Sequence, residues 1–176
     1  MEKVEHTKEY IYVNLSMVRL QFGWIIPKLY FAKGLEEKTK ANVIVMTWRE
    51  NSLFTQLVES FGFEHIVLDS LNMRNIGVMV KALFQTMRFM LSDGTGEGLK
   101  KINAGDLKIG KNLYEDILRT SSLSTIISAK NKICIKKMIH LLGTVYSIQK
   151  LCLKKFPKFM ICDDIAYHEG IFIKLF

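Results

Sequence analysis

The sequence predicts an α/β fold, a Rossmann-like, three-layer arrangement with a mainly parallel sheet, spanning residues 1–176 as a single domain. Three observations carry this expectation. Runs such as Asn42–Thr47 (NVIVMT) are apolar at nearly every position instead of alternating, as in strands covered on both faces. These runs alternate with helical periodicities in the order β-α-β-α-β-α, the pattern of a parallel, doubly wound sheet. The length of 176 residues is one domain's worth, enough to bury well over half of the surface that the unfolded chain exposes.

Tyr10–Leu15 reads as the first strand, a short apolar run of β-branched and aromatic residues. Ser16 is placed to cap a helix that runs through Gly34, with Pro27 as a kink or a fresh helix start. Asn42–Thr47 is the second strand. Asn51–Phe61 reads as a helix, with Leu53, Phe54, Leu57, Val58 and Phe61 at helical spacing and Gly62 as its stop. Glu64–Leu68 is the third strand. Asn72–Leu91 follows as a long amphipathic helix with Val80, Leu83, Phe84, Met87 and Leu91 on one face. Ser92–Gly98 (SDGTGEG) is the one clear loop tract, and a surface loop is expected over 92–98. Its glycines follow a helix and carry Asp93 and Glu97 between them, which argues against a phosphate cradle. Leu99–Asn103 is a candidate edge strand, Asn112–Thr120 a helix, and Asn131–Phe156 a long helix ended by Pro157. Lys158–Cys162 supplies another buried strand. Tyr167–Phe176 has a helical pattern that stops on Leu-Phe without a polar tail, so this chain is expected to be truncated at its C-terminus and the parent protein to continue beyond Phe176.

Composition narrows the function classes. A hydrophobic content of 49% and only 2 prolines exclude a disordered tail or a collagen-like repeat. No stretch reaches the roughly 18 apolar residues of a membrane-spanning helix, and Met1–Glu9 alternates acids and bases, unlike a secretory signal. Cys134, Cys152 and Cys162 are odd in number and lack metal-ligand spacing, so free thiols in a reducing, cytoplasmic compartment are expected, with no metal site. The net charge of +8 is concentrated: from Ile117 to Cys162 there is no acid, but there are Arg119 and eight lysines. At about 100° per residue, Lys132, Lys136, Lys150 and Lys154 share one narrow face of the long helix. A solvated face is the plainest reading of that stripe, and a peripheral contact with the anionic inner membrane face is the functional one. Nucleic acid is disfavoured, because neither aromatic residues nor arginines are interleaved with the lysines.

The richest cluster follows the last predicted strand, in Asp163-Asp164-Ile165-Ala166-Tyr167-His168-Glu169-Gly170. Ligands of open parallel sheets sit at the carboxyl ends of strands, so two carboxylates, a phenol, an imidazole and a glycine there make a plausible site. A helix cap by Asp164 and a close approach at Gly170 explain the same residues without a ligand.

The run Gly105-Asp106-Leu107-Lys108-Ile109-Gly110-Lys111-Asn112-Leu113-Tyr114-Glu115-Asp116-Ile117-Leu118-Arg119 resembles a signature of bacterial surface-polysaccharide (capsule and O-antigen) biosynthesis proteins, in which an Ile-Gly, a Tyr-acid pair and a Leu-Arg occur in this order. An acid, a Tyr and a Gly at a later strand end match Asp164, Tyr167 and Gly170. The resemblance implies the N-terminal half of a two-Rossmann-domain (GT-B) glycosyltransferase. On that footing the chain is the acceptor-side domain or fragment of a transferase, inactive without a C-terminal nucleotide-sugar domain. The chain itself holds no cofactor, and the partner is a glycan or lipid-linked sugar acceptor. One of Asp106, Asp164 and His168 is implied as the base that deprotonates the acceptor hydroxyl. Tyr114, Arg119, Tyr167 and Gly170 are implied as substrate contacts on one cleft at the carboxyl edge of the sheet. The alternative is a non-enzymatic α/β binding module peripheral to an anionic membrane surface, with Tyr114 packed in the core and Arg119 in a structural ion pair.

Overall fold

The computed structural model describes residues 8–15, 22–48, 50–69, 75–121 and 124–162. The expected cap at Ser16, the helix over 167–176, and Asp164, Tyr167, His168 and Gly170 lie outside the described residues. The fold is α/β with a parallel, Rossmann-like sheet. The chain divides into two compact units, one drawn from 1–68 and 151–163 and the other from 69–150 and 164–176.

The first unit holds the four-stranded sheet. Its strands are β1 (Tyr10–Leu15), β2 (Asn42–Thr47), β3 (Glu64–Val67) and, from the far end of the chain, β6 (Pro157–Cys162). The order is β3-β2-β1-β6, and every pairing is parallel. Helices α1 (Phe22–Thr39) and α2 (Ser52–Ser60) connect β1 to β2 and β2 to β3. Asn51 caps α2 by accepting a hydrogen bond from the Phe54 N–H at 3.1 Å, which satisfies one of the donors a helix start leaves over. Ile11, Val13 and Leu15 pack with Val43, Val45, Leu29, Phe54 and Val58 in one core cluster. By the period of two along a strand, Tyr12, Asn14, Ile44 and Met46 lie on the opposite sheet face, and all four are buried as well. Burial on both faces is why β1 and β2 read as nearly continuous apolar runs.

β6 departs from its expectation as a buried strand. It is an edge strand, with Lys158 and Phe159 exposed and Pro157 at its first position, where the missing N–H costs no ladder bond. The Tyr12 hydroxyl donates to the Lys155 carbonyl at 2.6 Å and so ties the central strand to the turn that launches β6.

The second unit contains α3 (Ile76–Ser92), α4 (Gly96–Leu99), the hairpin β4 (Asn103–Ala104) and β5 (Leu107–Lys108), α5 (Gly110–Ser121) and α6 (Lys132–Cys152), whose last two residues fall in the first unit. α6 is four residues shorter at its C-terminus than the sequence suggests, and it is buried continuously from Leu141 to Ile148. It packs on α3: the Tyr146 hydroxyl donates to Gln85, Lys81 Nζ lies 4.0 Å from the Tyr146 ring centre, and a Cβ at Gly143 would meet Met79 Sδ at 2.7 Å.

Two expectations are corrected here. Leu99–Asn103 is not an edge strand, because Thr95 caps a helical turn over Gly96–Leu99 and strand pairing starts only at Asn103. The 92–98 tract is not a free surface loop: Gly94, Gly96 and Gly98 are buried, while Asp93, Thr95 and Glu97 face solvent. Its backbone is held against the segment before α6, with the Ala129 N–H donating to the Gly94 carbonyl at 2.9 Å and the Gly96 N–H to the Ile127 carbonyl at 3.1 Å. Hydrogen bonds from the Thr95 hydroxyl and N–H to the Asp93 carboxylate close the turn and lower the Asp93 pKa.

Candidate functional site

In the first unit the chain reverses its direction across the sheet at β1. β2 and β3 lie to one side, and β6 joins from the other. In open parallel sheets the crevice outside the carboxyl ends at such a switch point is where ligands bind. Asn14 occupies that position. It is the penultimate residue of β1, in register with Met46 of β2 and Cys162 of β6. It is fully buried, and neither Oδ1 nor Nδ2 has a hydrogen-bond partner among the described residues. A primary amide without partners is a costly thing to bury, and here it stands next to the strand ends that frame a ligand crevice.

A second polar group lies near the same edge and is satisfied. Thr47, the last residue of β2, is fully buried, with its hydroxyl 2.9 Å from His65 Nε2, and Thr55 of α2 brings its hydroxyl to 3.3 Å from Nδ1. The Phe54 ring meets the imidazole edge-on at 5.7 Å. Burial lowers the His65 pKa, so a neutral ring with a hydroxyl on each nitrogen is the natural state. His65 therefore pins α2 to the sheet.

The run that carries the family resemblance forms the middle of the second unit. Gly105 turns the β4–β5 hairpin at φ +62°, and Asp106 is exposed beside it. Gly110 starts α5 where a Cβ would run into the Leu99 carbonyl oxygen and meet the Lys100 carbonyl carbon at 2.5 Å. Its role is close backbone approach. Tyr114 is buried. Its hydroxyl accepts from the Ile126 N–H at 3.2 Å and meets the Thr125 hydroxyl at 3.2 Å, and Lys100 Nζ sits 4.4 Å from the ring centre. The hydrogen bonds from Thr125 and Ile126 lower the phenol's pKa. Tyr114 thus fastens the segment before α6 onto α5. Arg119, five residues on, lies about 140° around the helix and is exposed. Tyr114 and Arg119 do not share a surface. Asp106, Tyr114 and Arg119 belong to the second unit, whereas the sheet whose carboxyl edge was expected to collect them belongs to the first.

Asp116 lies on α5, three residues before Arg119. The residue is 7% exposed, and its carboxylate accepts from Lys137 Nζ of α6 at 3.0 Å. Lys137 keeps partial access to water, so loss of the acid leaves a cation that is only partly stranded. Asp116→Ala is expected to lower unfolding free energy by about 1–3 kcal/mol, below the roughly 3–5 kcal/mol of a wholly enclosed pair. Adding Lys137→Met should recover part of that loss. Urea midpoints of the two variants check both statements, and an Asp116→Ala midpoint equal to wild type refutes the first.

Lys132, Lys136 and Lys150 are exposed on α6, with Lys150 Nζ donating to Asn75 Oδ1 at 3.2 Å. Lys154 is exposed too but lies past the end of the helix, so the stripe on α6 consists of three lysines. His140 places Nε2 3.5 Å from the Asp69 carboxylate. The cysteines are free, as expected, and burial pushes the Cys152 thiol up to about 11. Among the described residues no group of three or more His, Cys, Asp or Glu is placed to hold a metal ion, and no helix is long and apolar enough to cross a membrane.

The class that fold and topology define is an α/β protein with a parallel, Rossmann-like sheet and a switch point between β1 and β6. Compared with known proteins, the chain matches no family model, no curated protein and no solved structure.

Proposed function

We propose that this chain supplies the acceptor side of a glycosyltransferase that builds cell-surface polysaccharide, with the nucleotide-sugar donor held by a separate domain. The observation that carries the reading is Asn14: a buried amide, unpartnered among the described residues, at the switch point of a parallel sheet. A carboxamide offers two donors and an acceptor in one plane, which suits the mixed donor and acceptor character of sugar hydroxyls. The resemblance of residues 105–119 to the polysaccharide-biosynthesis signature supports the same class. The base and sugar contacts that the resemblance implies, Asp106, Asp164, His168, Tyr167 and Gly170, fall in the second unit and are not assigned to this site. Tyr114, bound through its hydroxyl to the Ile126 backbone, supports the fold of the second unit.

The test is titration of the chain with oligosaccharides cut from capsule and O-antigen repeats, followed by amide chemical-shift perturbation. Shifts should centre on Asn14, Met46 and Cys162, and a nucleotide sugar offered alone should produce none. Failure of every glycan to bind, or shifts confined to the second unit, overturns the reading.

A further inference from the structure

Helix α3 is inverted. The face that its periodicity marks as apolar, formed by Ile76, Val80, Leu83, Phe84, Met87 and Leu91, points outward, with Phe84 69% and Leu91 84% exposed. Its buried side is built from Ala82, Thr86 and Phe89. At about 100° per residue the six outward side chains fill an arc of about 100°, roughly opposite the buried one. Met79, Lys81 and Gln85 are the α3 side chains that meet α6, and small Ala82 and Thr86, whose hydroxyl donates back to the Ala82 carbonyl at 2.8 Å, lie on the arc between Gln85 and Met79. Burying the large residues is not needed to hold α3 in place, yet six of them lie along one line.

We infer that this face of α3 seats in the headgroup and acyl boundary of an anionic membrane. Charge decides between the possible occupants. α3 carries Lys81 and Arg88 and no acid, both within about 60° of the edge of the apolar arc. Lys150 adds a third cation at its N-terminal end, bonded to Asn75, the residue before Ile76. A second copy of a chain with net charge +8 would bring cations against cations, whereas anionic lipid offers the complementary sign. A helix of 17 residues, apolar along one side and edged by Lys and Arg, matches the pattern of helices that lie in the plane of the interface. The inference stands apart from the glycan reading, since α3 holds none of the residues proposed to bind sugar.

Co-sedimentation of the full chain with vesicles tests it. The chain should bind phosphatidylcholine vesicles containing about one quarter phosphatidylglycerol and not phosphatidylcholine alone, because each cation contributes about fivefold. Leu83→Asp with Phe84→Asp should weaken binding by at least about tenfold per side chain without changing the melting temperature, as both residues are exposed. Phe84→Trp should gain a fluorescence signal, over the wild-type background, that brominated acyl chains quench. Unchanged binding by the double aspartate variant, or an added signal in the Phe84→Trp protein that is indifferent to bromolipid, overturns the inference. So does a wild-type dimer that the double variant splits while neither protein sediments with vesicles.

Discussion

Gly96→Ala is expected to destabilise the protein by about 3 kcal/mol or more, at or beyond the upper end of what overpacking normally costs. The ideal Cβ would lie on top of the Ile126 carbonyl oxygen and 2.7 Å from its carbon, and backbone cannot swing aside as a side chain can. The same turn carries the Gly96 N–H to Ile127 and Ala129 N–H to Gly94 bonds, so relieving the clash pulls apart two strand-like contacts at once. Gly110→Ala should behave alike, because its Cβ would meet the Leu99 and Lys100 backbone. Gly34→Ala is the control. It sits inside α1 with nothing within 4 Å of the added carbon, so it should stabilise by about 0.5–1 kcal/mol. Thermal melts of the three variants check the order, and a Gly96→Ala protein that melts with wild type refutes the packed account of the 92–98 turn.

Those glycines show where sequence reasoning runs out. The charges of Asp93 and Glu97 mark the tract as unfit for phosphate, but nothing local registers that Gly94, Gly96 and Gly98 alternate with them as buried positions, Gly94 and Gly96 against residues some 30 places further on. Non-local backbone contact leaves no periodic trace. Strands β1 and β2, by contrast, were legible to the residue, because burial on both faces writes a nearly continuous apolar run. Helix α3 lies between these cases. Periodicity correctly groups Val80, Leu83, Phe84, Met87 and Leu91 on one face, yet it says only that they share a face, and the assumption that this face points inward fails. The signal that could have corrected it is the opposite side, where Ala82 and Thr86 are small enough for close helix contact. Tyr114 was legible as a motif residue, but its partners Thr125 and Ile126 lie across a turn with no pattern of its own. Asn14 was in plain view as the one side-chain amide in Tyr10–Leu15, and a polar residue near the carboxyl end of a buried strand is a readable sign.

Asn14→Leu should therefore raise the stability of the protein while removing its capacity to bind glycan. Leucine has nearly the shape of asparagine and no polar atoms, so the substitution removes the penalty of two unpartnered groups without opening a cavity. The gain expected from an unsatisfied buried amide is about 1–3 kcal/mol, which for a chain of this length is a rise of very roughly 2–4 °C in Tm for each kcal/mol. Asn14→Asp should go the other way, since an ionised carboxylate at a fully buried position is costlier than an amide. Asn14→Ala should also destabilise, by leaving a void beside Met46 and Cys162 in the neighbouring strands. The three melts separate stability from recognition. A protein that keeps an amide at a cost to its own stability keeps it for something outside the fold, and a leucine variant that is both more stable and blind to glycan fits only that account. A leucine variant that loses stability shows that the amide serves the fold, and the switch-point site falls with it.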